Sequence, residues 1–407
     1  MKIQYLFTER AHLMCPNMYF GIAACLNAAY DNNKIKSTIE SLSDAHPFLK
    51  ALLGYEKNTN QYFYNITDTN QITWIPIEQE WNGLEDPDIM KQYQKATRND
   101  WNLFTEGMLK MYTWKAKEQV GVLFVFHHLL ADGRGGLGLV KEFSELYVNG
   151  KKPLYVEESL IQQNSDLPKS SELKGISKWL IWRSNKKWRK EQHLLSYEDY
   201  HTFADVFLKK DLVIHTIQIL PENELSSIQK KCHQNKVSIN DYLMAKMYLE
   251  EHINKIIIAS DIRKQLPCYQ DGALGNYSTA FSVNYKGKRK DVFEAAKKVH
   301  SLVQRVLENN SSLYLTLACY GIMEPGLLDA AAVSALGGFH SEAGAFVGGI
   351  MFGYQKRSGY SITNLGKISS TAIGQAMFIP PASPAIKKIQ GVLTVNGTMT
   401  ICSSERE

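Results

Sequence analysis

Hydrophobic positions recur with two different periods along this chain. "QYFYNIT" (61–67) and "QITWIPI" (71–77) alternate between apolar and polar residues, the period of a half-buried strand, with "DTN" between them as a hairpin turn. "MLKMYTWKAK" (108–117) and "VGVLFVF" (120–126) read as a strand pair, and the second is apolar on both faces, as in a buried central strand. "MYFGIAACLNAAYD" (18–31) and "IKSTIESLSDAH" (35–46) read as helices. In "LGLVKEFSELYVNG" (137–150), Leu139, Val140, Phe143 and Leu146 share one helical face and Gly150 stops it.

The texture changes from about Tyr155 to Phe203, first polar, then basic and rich in tryptophan in "KWLIWRSNKKWRKEQ". The second half alternates again. "LVIHTIQIL" is a strand, "SINDYLMAKMYLEEH" a helix capped by Ser238 or Asn240, and "KIIIASDIR" a strand. "LGNYSTAFSVNY" is a strand. "DVFEAAKKVHSLVQRVLENN" is an amphipathic helix with Val292, Ala296, Val299, Val303 and Val306 at helical spacing. "SGYSITNLGKI" and "GVLTVNGTMTICSS" close the chain as strands. The glycine-rich region 337–366 reads as loops and close strand packing, since no GK[ST] follows it. The pattern predicts an α+β protein in two halves, each with a mixed central sheet: residues 1–165, a connection at 166–205, and residues 206–407.

At 407 residues, 44% hydrophobic and 21% charged, the chain can bury two cores. Its six cysteines are scattered without CxxC spacing, so neither a zinc knuckle nor a disulfide framework is expected, and no metal is implied. A reduced, cytoplasmic setting is the expectation. Glu9 and Arg10 interrupt any secretory leader, and no apolar window is long enough for a transmembrane helix. The net charge of +5 is local. Seven Lys/Arg (Lys174, Lys178, Arg183, Lys186, Lys187, Arg189, Lys190) fall in one acid-free run, so the rest of the chain is slightly acidic. That argues against a general nucleic-acid binder.

The candidate chemistry lies in "FVFHHLLADGRGG" (124–136). Adjacent residues on a strand point to opposite faces, so His127 and His128 cannot share one job. One should brace the fold and the other should face a cleft. Asp132 can fix the loop, and Gly133 is expected to take a backbone angle closed to other residues. A general base needs this: an imidazole with a pKa near working pH, held in one orientation. Gly133, Gly135 and Gly138 also spell GxGxxG. However, six residues separate the first glycine from the strand, which argues against a dinucleotide site.

"HHLLADG" resembles HHxxxDG, the signature of the acyltransferase superfamily that includes chloramphenicol acetyltransferase, condensation domains of nonribosomal peptide synthetases and bacterial alcohol acetyltransferases. Other stretches resemble the same superfamily in order. "DAHPFLKALL" is similar to its RHPxLR segment, "SINDYLMAKM" to an NDxxLA helix start, "DIRKQLP" and "LGNY" to segments at the lobe interface, and "SITNLG" to its TNLG strand. The resemblance implies two chloramphenicol-acetyltransferase-like lobes meeting at an active-site tunnel. It implies His128 as the base that deprotonates a hydroxyl or amine for direct attack on an acyl thioester, without an acyl-enzyme. It implies structural roles for His127, Asp132 and Gly133, with Asp132 paired to an arginine. Ala45 and Lys50 replace the two arginines of RHPxLR, so Lys50 or Arg263 becomes the partner of Asp132. Thr363 or Asn364 is a candidate oxyanion or substrate contact, and Asn276 reads as a turn residue. No "DFGWG" motif links the chain to the plant BAHD branch.

Acyl-CoA is the expected donor cosubstrate, with no bound cofactor, because no carrier or adenylation region is evident. The acceptor would be a small alcohol or amine, and a monomer is expected. Two alternatives stand: a stand-alone condensation enzyme with an acyl-carrier-protein donor, and a non-catalytic binding member. For the basic tryptophan stretch, a packed linker is weighed against a surface for a membrane, an acidic carrier protein or coenzyme A phosphates.

Overall fold

A computed structural model describes residues 3–173, 175–193, 195–287 and 291–407. Lys174 of the basic run lies outside them. The described residues form fourteen strands: β1 (Gln4–Tyr5), β2 (Tyr19–Leu26), β3 (Ala51–Glu56), β4 (Gln61–Ile66), β5 (Ile72–Glu80), β6 (Leu109–Lys115), β7 (Val120–His127), β8 (Val213–Leu220), β9 (Lys255–Asp261), β10 (Ser278–Asn284), β11 (Gly359–Ile368), β12 (Ile373–Ile379), β13 (Ile386–Val395) and β14 (Thr398–Arg406). They make three sheets, ordered β12-β2-β7-β6-β5, β10-β9-β11-β13-β14-β8 and β1-β4-β3. Both large sheets mix parallel and antiparallel pairs, with β5–β6, β9–β11 and β11–β13 parallel. The fold is α+β, as expected.

Strand β7 sits inside its sheet, and all eight of its residues are buried. Its neighbour β2 falls within the stretch read as a helix from Met18 to Asp31. It is a strand, buried along its whole length. A short apolar run buried on both faces has no period of its own, and its alanines suggest a helix only in isolation. The hairpin expected across "DTN" is also absent. β4 pairs with β3 and β1, whereas β5 joins the other sheet, parallel to β6. Helices also occupy part of the glycine-rich region, at Glu342–Val347, preceded by Pro325–Val333.

The two halves are not separate in sequence. β12 leaves the C-terminal half and pairs antiparallel with β2, from Ile379 opposite Gly21 to Ile373 opposite Leu26. It packs on β13 so closely that a Cβ at Gly391 would lie 2.5 Å from the Phe378 carbonyl oxygen. One hydrophobic core therefore contains Phe126 and Phe143 together with Met377, Phe378 and Leu393. A second core holds Met244, Tyr248, Ile256 and Val299, beneath the helices Ile239–Glu250 and Val292–Leu307.

The N-terminal turn Arg10–Leu13 is pinned across the molecule. Arg10 Nε and Nη2 donate to the Asp329 carboxylate at 3.1 and 2.6 Å, and Nη1 donates to the Asn60 carbonyl at 2.6 Å. Both charged groups are buried. A buried pair is costly to break from one side only. Arg10→Met, which strands the Asp329 charge, is expected to lower the unfolding free energy by about 3–5 kcal/mol. Arg10→Met combined with Asp329→Leu should recover much of that loss. Denaturant unfolding of the three proteins checks this.

Candidate active site

β7 delivers the two histidines. The His127 N–H donates to the Met108 carbonyl and the His128 N–H to the Met18 carbonyl, at 2.9 and 2.8 Å. The chain then turns at once, with Leu130 N–H on the His127 carbonyl at 3.0 Å. The imidazoles take different surroundings, as their opposite facing requires. The ring of His127 is buried edge-on to Tyr19. The Leu129 N–H donates to its Nδ1 at 3.2 Å, so the ring proton is on Nε2. Burial, and then the neighbouring His128, push its pKa down to about 3. It is a neutral brace.

His128 is half-buried, and its Nδ1 lies 2.7 Å from Asn276 Oδ1. The Asn276 amide nitrogen donates to the carbonyls of His128 and Leu129 at 2.7 and 3.3 Å. Those two bonds fix which way the amide points. Its oxygen must face the ring and can only accept, so Nδ1 carries the proton and Nε2 presents a lone pair. Burial lowers the pKa of His128, opposed by its own backbone, Asn276 and the Asp132 charge. The ring is neutral near neutral pH. One of its faces is covered by His12, whose ring stacks at 4.5 Å and 19°. Phe20 meets it edge-on at 5.5 Å. His12 Nδ1 is buried with no hydrogen-bond partner, and burial, then the neighbouring imidazoles His128 and His127, hold its pKa well below the ordinary value. The site therefore stacks two neutral imidazoles.

Asp132 caps the helix Gly133–Asn149 by accepting from the Gly135 N–H at 2.8 Å. That N–H is thereby taken, which further weakens any phosphate role for the glycines. The same carboxylate accepts from Arg263 Nη2 at 2.7 Å and from the Tyr277 N–H at 2.9 Å. Arg263 is thus the partner of Asp132. Lys50 is not: it pairs with exposed Asp44 at 2.7 Å. Gly133 also acts differently from expectation, since its backbone does not enter the left-handed region. What it supplies is space, because a Cβ there would sit 2.8 Å from Leu365 Cδ2. Leu365 follows Thr363 and Asn364 on β11, so the TNLG strand lies against the start of the histidine-motif helix. Thr363 and Asn364 are half-buried, and the Asn364 side-chain Oδ1 accepts from the Gly366 N–H at 2.8 Å.

The "DAHPFLK" segment has its own buried centre. His46 bonds Glu158 Oε1 through Nδ1 at 2.9 Å and Glu142 Oε2 through Nε2 at 2.6 Å. Glu158 also accepts from the N–H groups of Phe48 and Leu274 at 2.6 and 3.0 Å. Burial disfavours the imidazolium, but the two carboxylates outweigh it and push the pKa of His46 up to about 9. The loss of arginine at position 45 therefore leaves a charged residue in the segment.

A condensation-domain family model matches residues 15–251. The chain belongs to the condensation-domain family. Solved structures with this fold include the condensation domain of the monacolin K polyketide synthase MokA, with TM-score 0.61 at 10% identity, covering 100% of this chain and 92% of that one. They also include polyketide synthase associated protein 5 from Mycobacterium tuberculosis, with TM-score 0.59 at 14% identity over 99% and 92%. A third is the epimerization domain of the third module of tyrocidine synthetase B, with TM-score 0.57 at 12% identity over 98% and 88%. At such identities the likeness carries the fold. No curated protein sequence matches. In this condensation-domain protein, sequence reasoning undervalued Asn276 and missed His12 and the His46–Glu158 pair. Their signal, a lone polar residue far from the motif, is visible only once the halves meet.

Two predictions follow from these geometries. In Asn276→Ala the His128 ring loses its Nδ1 acceptor. Imidazole NMR should then show a mixture of tautomers and a lower pKa, whereas an unchanged single tautomer would contradict the assignment. For His46, the folded pKa of about 9 exceeds the ordinary 6.5. Its contribution is therefore complete below pH ~6.5 and lost as pH rises through ~9, worth about 3 kcal/mol. Unfolding free energies measured from pH 6 to 9.5 should fall more steeply in the wild type than in His46→Gln.

Proposed function

We propose that this protein is an acyltransferase that moves an acyl group from a thioester to a hydroxyl or amine, with His128 as general base. The observation that carries the reading is the pairing of Asn276 with His128. It fixes the Nδ1–H tautomer and so presents the Nε2 lone pair, while burial keeps the ring uncharged.

In the step this geometry supports, Nε2 takes the proton from the acceptor O–H or N–H. The acceptor atom bonds to the thioester carbonyl carbon, and the carbonyl oxygen becomes an oxyanion. The C–S bond then breaks, and the Nε2 proton passes to the departing sulfur, returning His128 to its starting state. Thr363 and Asn364, beside the start of the motif helix, are the proposed contacts to the oxyanion or substrate. Direct transfer also accords with the cysteines. Burial pushes the thiols of Cys15 and Cys402 up to about 12, and those of Cys268 and Cys319 to about 11, so none is primed as a nucleophile.

Acyl-CoA and a carrier-bound thioester present the same reacting group. The family match supports the carrier-bound donor as a second reading beside acyl-CoA. The test is free-thiol release from a panel of acyl-CoAs and carrier-loaded thioesters, with alcohols and amines as acceptors. His128→Ala should lower acceptor-dependent release by about 10²–10⁴-fold with an unchanged circular-dichroism spectrum. Equal release from both proteins would overturn the mechanism. Because the pKa of His128 lies below its ordinary value, the wild-type rate should already have levelled off at pH ~7.

A further inference from the structure

The helix Gly175–Glu191 carries the basic tryptophan stretch, and it has two unlike sides. One side is core. Ile181, Ser184 and Trp188 are buried, and Trp188 packs with Met323, Leu327 and Leu328. The opposite side leaves Ile176, Trp179 and Trp182 exposed at 77%, 51% and 58%. A linker that only packs its tryptophans would bury all three, and this one buries a single indole.

The charges divide in the same way. Lys187 pairs with Glu342 and Arg189 with Glu324, which fasten the helix to its neighbours. Among the described residues, no carboxylate pairs with Lys178, Arg183, Lys186 or Lys190. Arg183 instead lies over the Trp179 ring at 5.5 Å, and Lys186 over the Trp182 ring at 5.3 Å. Along the inner edge of the helix runs an apolar groove lined by Leu180, Ile181 and Ser184 together with Leu315, Phe346 and Ile350. Phe346 and Ile350 on its rim are themselves exposed, at 44% and 61%.

We propose that this face docks on the surface of an anionic lipid bilayer. Indoles and long basic side chains on one outward helix face suit the boundary between headgroups and acyl chains. The unpaired cations complement lipid phosphates, and their attraction is screened by salt. The exposed Ile176, Trp179 and Trp182 on the outward helix face match hydrocarbon, and Phe346 and Ile350 at the groove rim add exposed apolar surface on neighbouring elements. An acidic protein partner would account for the cations but leave the apolar rim unused. The inference stands apart from the acyl-transfer reading, because it concerns a different face and needs no turnover.

The test uses the full chain with sedimented vesicles of phosphatidylcholine alone and of phosphatidylcholine with 30% phosphatidylglycerol. Binding should be at least ten-fold tighter to the anionic vesicles, fall on raising salt from 0.05 to 0.5 M, and shift tryptophan emission to the blue. Trp179→Ser with Trp182→Ser should weaken binding at least ten-fold and remove most of the emission shift. Arg183→Gln with Lys186→Gln and Lys190→Gln should abolish the preference for anionic vesicles. Both variants alter only exposed side chains, and thermal unfolding checks that they fold. Absence of binding to anionic vesicles overturns the proposal. So does binding that neither variant changes, or retention by an immobilised acidic carrier protein with no retention by vesicles.

Discussion

The carboxylate of Asp132 is the junction on which the site depends. It accepts from the Gly135 N–H behind it in the motif helix, and from Arg263 and the Tyr277 N–H in the other half of the chain. The bond from the Asp132 N–H to the Gly275 carbonyl, at 3.0 Å, adds a fourth tie. Together they lay the segment between Arg263 and Tyr277 across the turn that follows β7. Asn276 lies between two of those anchored residues, so its amide reaches His128 as a consequence. A buried carboxylate is costly unless its lone pairs are occupied. Here three donors occupy them, and Arg263 is itself steadied by Asp261 at 2.7 Å.

The His46–Glu158 pair repeats that logic a few residues away. Glu158 accepts from the backbone of Phe48 in one half and Leu274 in the other, while His46 also reaches Glu142 on the motif helix. The same segment of the C-terminal half is therefore gripped twice, at Leu274 by a glutamate and at Tyr277 by an aspartate. Two independent carboxylates at this spacing leave Gly275 and Asn276 little freedom. The imidazoles differ accordingly. His46, between two carboxylates, is held charged, while His127, beside another imidazole and away from any carboxylate partner, is held neutral. The residue type is the same, and the environment sets its role.

Much of this was legible in the sequence, for identifiable reasons. The strand pair β6–β7, the motif helix with its stop at Gly150, and the capped helix after Ser238 rest on local period and capping, which the chain carries within itself. Of the two candidate partners for Asp132, Arg263 takes the place and Lys50 does not, because "DIRKQLP" crosses the interface. What was not legible depends on neighbours distant in sequence. β2 looks helical because its alanines show no alternation when both faces are covered. β5 leaves β4 because its hydrogen-bond partner is more than thirty residues away. Gly133 does not use its backbone freedom; its missing side chain admits Leu365.

The segment around His12 shows the same limit most sharply. Glu9 and Arg10 were informative in the sequence only as charges that rule out a leader. In the fold, Arg10 is tied to Asp329, Asn60 and the ring of Tyr62, which seats the turn Arg10–Leu13 and carries His12 onto the face of His128. The stacking is thus secured by an ion pair that touches neither imidazole. A cation on His12 would lie against the face of His128 and oppose any charge that ring takes up. Burial and the neighbouring imidazoles keep His12 uncharged instead. The pKa of His128 is then lowered by burial and held up by Asn276, which the interface between the halves brings to the ring, and by Asp132 within the motif itself.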